Sequence, residues 1–146
     1  MATFSRSVTV NWEGGIMDGK GTAKAGSGAF TLPVSFPRRI GDAEGVTSPE
    51  EFMAAAHAAC YAMALNATVG RKGGQIARTD ITATVTADKG DAGITITTSK
   101  LSVTAHGLTG IPKEQFADIA REAESKCPVS NAYRGSMKIE LEAKAV

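Results

Sequence analysis

Along the first third of the chain, apolar and polar positions alternate in steps of two. Val8, Val10 and Trp12 interleave with Ser7, Thr9 and Asn11, the pattern of a half-buried strand, and Gly14-Gly15 breaks it. Weaker strands are expected at 20–24 and 29–35, separated by Gly26-Ser27-Gly28. A polar loop over 36–45, with one Pro and two Gly, carries the adjacent Arg38 and Arg39. The pattern then changes. Ser48 can cap a helix, Pro49 suits its first position, and Glu51 stands where a capping box needs an acid. From Phe52 to Leu65 the only strongly polar side chain is His57, so this helix should be buried on every side. At about 14 residues it is too short for a bilayer, which needs roughly 18 or more.

Gly70 to Gly74 stops that helix. Ile81, Ala83 and Val85 start a hairpin that turns at 88–93 and returns along 94–105. In the returning strand the apolar phase moves from Ile94 and Ile96 to Leu101, Val103 and Ala105, which predicts a bulge or bend between them. Pro112 and Glu114 open a second helix whose stripe is Phe116, Ile119, Ala120, Ala123 and Cys127. Pro128 either interrupts it or begins a short new helix to about Arg134. The last strand, 138–146, turns Ile139, Leu141, Ala143 and Ala145 inward. The order of elements indicates a single α+β domain over 1–146, with no repeat and no second domain.

Composition narrows the function. Sixteen basic and fifteen acidic residues leave no nucleic-acid footprint. The N-terminus lacks an apolar signal region, so a cytoplasmic location is expected. In that reducing setting the only two cysteines, Cys60 and Cys127, are buried free thiols or a redox pair that cycles. Neither they nor His57 and His106 show metal-ligand spacing.

A lone cysteine in an Ala-rich helix packs as a small hydrophobe, and burial raises its pKa. Cys127 alters this, because its stripe points it towards the same core and Pro128 places it at the positive end of a possible following helix. Two inward thiols suggest a peroxidatic and a resolving partner, set against the reading of two unrelated core cysteines. Arg38 or Arg39 can supply a permanent cation for a thiolate. Glu50, not needed by the capping box, can hold that arginine, or can simply complement the helix dipole. His57, three before Cys60, offers a Cys–His pair for a thiol hydrolase, but no third residue is evident to orient it, and a satisfied core histidine is the competing reading.

Taken together, Pro49-Glu50-Glu51, the run Ala55-Ala56-His57-Ala58-Ala59-Cys60-Tyr61-Ala62-Met63-Ala64-Leu65 and Lys126-Cys127-Pro128-Val129-Ser130 resemble the OsmC/Ohr family of osmotically inducible and organic-hydroperoxide-resistance proteins. Ala-His before Ala-Ala-Cys is similar to its OsmC branch. Asn11-Trp12-Glu13-Gly14 and Lys89-Gly90-Asp91-Ala92-Gly93 also resemble that branch. The resemblance implies an antiparallel sheet wrapped around a buried central helix in an intertwined homodimer. It also implies a Cys-based peroxidase. Cys60 matches the peroxidatic cysteine, Cys127 the resolving one, and Glu50 the glutamate that holds a catalytic arginine. Arg39 is the better match for that arginine and Arg38 the alternative, since the loop is one residue longer than the family's. Organic hydroperoxides are the implied substrates, with hydrogen peroxide used less well, and Phe52, Met53 and Tyr61, together with Arg38, are expected around them. No metal, haem or flavin is called for. An external dithiol, such as a protein-bound dihydrolipoyl group, would restore the thiols. The rival readings are a non-catalytic redox sensor and the Cys–His hydrolase.

Overall fold

Three short strands begin the fold. β1 (Val8–Glu13), β2 (Lys20–Ala25) and β3 (Thr31–Val34) form an antiparallel sheet in that order, with Val8 opposite Ala25 and Gly21 opposite Val34. The β1–β2 connection is held by Gly19 N–H donating to the Gly15 carbonyl at 2.8 Å. A Cβ on Gly19 would lie 2.2 Å from that oxygen, so only glycine fits. β2 alternates as a half-covered strand should, with Gly21, Ala23 and Ala25 buried. β1 does not: Val8, Val10 and Trp12 are 52%, 55% and 42% exposed, against the half-buried strand expected. A period of two tells which side chains share a face, and leaves open whether anything covers it. The expected loop at 36–45 also differs, because Phe36–Ile40 forms a helix, α1, with Pro37 in its first turn. Proline is pre-set for that position and has no N–H to leave unpaired.

The structure, a computed structural model, describes residues 2–146 and divides at Phe52 into two compact units, the second being Met53–Val146. Helix α2 (Pro49–Arg71) runs across this division. Ser48 Oγ accepts the Glu51 N–H at 3.1 Å, so the cap forms as expected. The Glu51 carboxylate takes the Thr47 hydroxyl at 2.7 Å.

At 23 residues α2 exceeds the expected length, and by length and composition it could cross a membrane. Its packing has one side only. His57, Tyr61, Leu65, Thr68 and Val69 are buried along one stripe, whereas Ala55, Ala56 and Ala59 are exposed and Met63 is 73% exposed. The expectation of burial all round is therefore corrected for the single chain. Small alanines make the sequence look uniformly apolar without saying which face meets a neighbour.

The second unit holds a mixed sheet in the order β4 (Arg78–Gly90), β5 (Gly93–His106), β6 (Lys138–Ala145). β4 and β5 are an antiparallel hairpin, and β6 lies parallel to β5. That parallel pairing corrects the wholly antiparallel sheet expected. It requires a crossover, supplied by a 3₁₀ turn (Lys113–Gln115), α3 (Phe116–Ser125) and α4 (Pro128–Tyr133). The bulge implied by the phase change is present. Thr86 pairs with Thr98 and Ala87 with Ile96, leaving Thr97 unpaired. Ile96 thereby shares a face with Ser99 and Leu101. Leu101, Val103 and Ala105 of β5 join Tyr61, Leu65 and Val69 of α2 and Phe116, Ile119, Ala120 and Ala123 of α3 in one buried cluster.

Candidate active site

Cys60 and Cys127 are both free thiols of the second unit, Cys60 half-buried and Cys127 wholly buried. Cys127 lies just beyond α3. Its backbone is extended, as a residue before proline prefers, and it caps α4: the Ser130 N–H donates to Cys127 Sγ at 3.5 Å. Of the two sequence readings of Pro128, the new helix is the one that forms. Burial pushes the Cys60 thiol above its ordinary value, the Val129 N–H pulls it back down, and the neighbouring Cys127 thiol pushes it up again. Cys127 is thus among the groups that act on the Cys60 thiol.

In the first unit, α1 presents two arginines with different partners. Arg39 reaches Glu50 in the first turn of α2, Nε lying 3.1 Å from both carboxylate oxygens and Nη2 2.6 Å from Oε1. This fork is largely covered. The hydrogen bond from Arg39 holds Glu50 below the usual carboxylate range despite its burial, and the carboxylate raises the Arg39 guanidinium in return. Arg38 instead pairs with the exposed Glu44 at 2.8 Å, and its Nη1 donates to the Asp42 carbonyl. Beside Arg39 lies an apolar cavity of about 510 Å³ with Val10, Trp12, Val34, Phe36 and Phe52 in its lining. Phe52 also packs on Phe30, ring centres 5.6 Å apart.

Two expected lining residues do other work. Tyr61 is fully buried and donates its hydroxyl to the Ala120 carbonyl at 3.0 Å, burial pushing its pKa well up. It is a core residue with no surface for a substrate, which corrects its expected place. Met53, half-buried, offers its carbonyl to the Tyr133 hydroxyl at 2.9 Å.

His57 has both ring nitrogens engaged. Nδ1 lies 2.6 Å from Ser99 Oγ on β5 and Nε2 2.7 Å from Ser130 Oγ on α4, and all three side chains are buried. Burial lowers its pKa, Glu124 pulling the other way and Arg134 adding to the fall. With both nitrogens spoken for, His57 has no free base to offer Cys60, which leaves the satisfied core histidine and removes the Cys–His hydrolase. The sequence pattern assigns no role to Ser99, and none to Ser130 beyond its place in the Lys126–Ser130 motif. A signal for Ser99 was there: it occupies the inward phase of β5, alongside Leu101 and Val103, where a polar side chain needs a buried partner. Among the described residues no group of three or more His, Cys, Asp or Glu is placed to hold a metal ion.

A family described as OsmC-like protein matches residues 41–142. The peroxiredoxin OsmC of Escherichia coli strain K12 is 36% identical over 144 residues, covering 98% of this chain and 99% of that protein. The chain belongs to the OsmC-like family. The fold of this OsmC-like chain agrees with solved structures. An organic hydroperoxide resistance protein from Elizabethkingia anophelis superposes with a TM-score of 0.75 at 25% identity over all of both chains. Another from Bacillus subtilis gives 0.73 at 25% identity, covering 94% of this chain and 98% of its own.

Proposed function

We propose that this OsmC-like chain is a thiol-dependent peroxidase that reduces organic hydroperoxides, and hydrogen peroxide less well. The observation that supports the reading is the place of the chain's only two cysteines in one unit, half-buried Cys60 on α2 and buried Cys127 at the cap of α4, the second acting on the thiol of the first. The names of its relatives, peroxiredoxin and organic hydroperoxide resistance protein, support the same chemistry.

The Cys60 thiolate attacks the distal peroxide oxygen, the O–O bond breaks, and the departing alkoxide takes up the proton that the Cys60 thiol released on ionising, leaving as the alcohol. Cys60 becomes a sulfenic acid, the reversible first stage of cysteine oxidation. The Cys127 sulfur then displaces hydroxide from Cys60, its own proton completing a water molecule, and a disulfide remains. An external dithiol, a dihydrolipoyl protein by family resemblance, reduces it by exchange. This cycle needs no metal, haem or flavin. Burial alone would leave Cys60 mostly protonated, so a fixed cation is needed, and Arg39, locked by Glu50, is the residue assigned to it. Phe52 and Met53 favour alkyl peroxides. The working form is a homodimer of one OsmC-like domain per chain, each sheet wrapping the central helices, located in the cytoplasm. The bare Ala55/Ala59/Met63 face of α2 supports that assembly.

Steady-state consumption of cumene hydroperoxide with dihydrolipoamide tests the reading. Cys60→Ser should be inactive. Cys127→Ser should consume one equivalent and then overoxidise. Full activity in Cys60→Ser would end the proposal, and wild-type turnover that stops after one event would make the protein a redox sensor.

A further inference from the structure

α4 has only six residues, too short to hold its shape through backbone hydrogen bonds alone. Yet its capping residue is Cys127, whose sulfur must meet Cys60 within a narrow geometry for a disulfide to close. Something outside α4 has to fix it. His57 is placed to do so. It sits on α2 one turn before Cys60, so the two side chains move with the same rigid helix. Its Nε2 lies 2.7 Å from Ser130 Oγ, in the turn that Cys127 caps, and its Nδ1 lies 2.6 Å from Ser99 Oγ in the middle strand of the sheet. Tyr133, at the far end of α4, packs edge-on against the same ring with centres 5.3 Å apart. Its hydroxyl returns to the Met53 carbonyl on α2.

We propose that His57 is a positioning residue for disulfide closure, a strut from the helix carrying Cys60 to the helix capped by Cys127. The inference rests on the peroxidase reading above and concerns its second step only. The imidazole takes no proton from either sulfur. It sets where Cys127 stands when the sulfenic acid forms, so that the Cys127 sulfur reaches the Cys60 sulfur before a second peroxide does. Without the strut, the first step is untouched and the second slows.

Rapid mixing with one and with many equivalents of cumene hydroperoxide, followed by intact-mass analysis, reads the two steps separately. Ser130→Ala, which removes a single oxygen, is the deciding variant, with Ser99→Ala and His57→Asn beside it. First-turnover peroxide consumption should stay within about twofold of wild type, while disulfide formation slows roughly tenfold, the scale of one lost buried hydrogen bond. Sulfinic Cys60 should accumulate at high peroxide. Disulfide closure at the wild-type rate in folded Ser130→Ala overturns the inference and leaves the peroxidase intact. An equal fall in both steps overturns it too, since that is general damage. A wild-type protein that consumes no peroxide overturns both readings.

Discussion

Two neighbouring arginines leave α1 with opposite fates, and the difference is local. Arg39 meets a carboxylate fixed in the first turn of a long helix, and both groups are screened from water. Arg38 meets Glu44 in an exposed turn, where an ion pair contributes little. On the proposed assignment of Arg39 to the Cys60 thiolate, Arg39→Met should lower the first-turnover rate by about a hundredfold, the usual scale for losing a fixed charge donor at a reacting centre. Arg38→Met should cost less than about threefold, as expected of a solvated pair. Equal losses in stopped-flow measurements would reverse the assignment. The sequence left the two arginines open because they are adjacent, and only the turn of α1 separates their directions. Glu50 as an arginine's partner, by contrast, was readable from its surplus to the cap.

At the level of elements, β5 shows how far periodicity can be followed. The inward phase changes between Ile96 and Ser99, and the unpaired Thr97 absorbs the change. Deleting Thr97 should thus leave every inward side chain inward. We expect the deletion variant to keep its fold and lose no more than about 1–2 kcal/mol in urea unfolding, whereas deletion of Ser102, in the regular ladder, should flip one part of the strand and prevent folding. A Thr97 deletion that fails to fold would count against this account of the register. The bulge was legible because it alters the pattern of one strand. The parallel pairing of β6 was not, since its alternation is the same whichever neighbour it takes. The helix α1 was hidden by Pro37, which reads equally as a loop breaker and as a first-turn residue.

For the molecule as a whole, exposure and protonation set the measurable behaviour. The two apolar surfaces left bare, β1 and the Met63 side of α2, are the places where sequence patterning foresaw burial that one chain does not provide. Wild-type protein should sediment at about twice 15.1 kDa, and Met63→Glu should shift it towards the single-chain mass. A wild-type monomer would contradict the proposed dimer. Acid stability should fall in two windows. His57 is held below its ordinary 6.5, so the stability it contributes is complete above 6.5 and is lost as pH falls through the folded value. Glu50 is held below 4.5, so its contribution is complete above 4.5 and disappears only in stronger acid. Thermal unfolding from pH 7.5 down to 3 should show both declines, and His57→Asn should remove the first alone.

The capping role of Cys127 also bears on how the proposed cycle is closed. As a thiol its sulfur accepts the Ser130 N–H. Once bonded to another sulfur it is a poorer acceptor, so oxidation loosens the start of α4. Any interaction that favours the dithiol makes the disulfide easier to reduce, by about 10–20 mV for a hydrogen bond worth roughly 0.5–1 kcal/mol. Equilibration with dihydrolipoamide should accordingly place the Cys60–Cys127 couple above about −300 mV, with the labile disulfides and apart from the structural ones. In the proposed cycle a helix cap would thus tune the driving force for recycling.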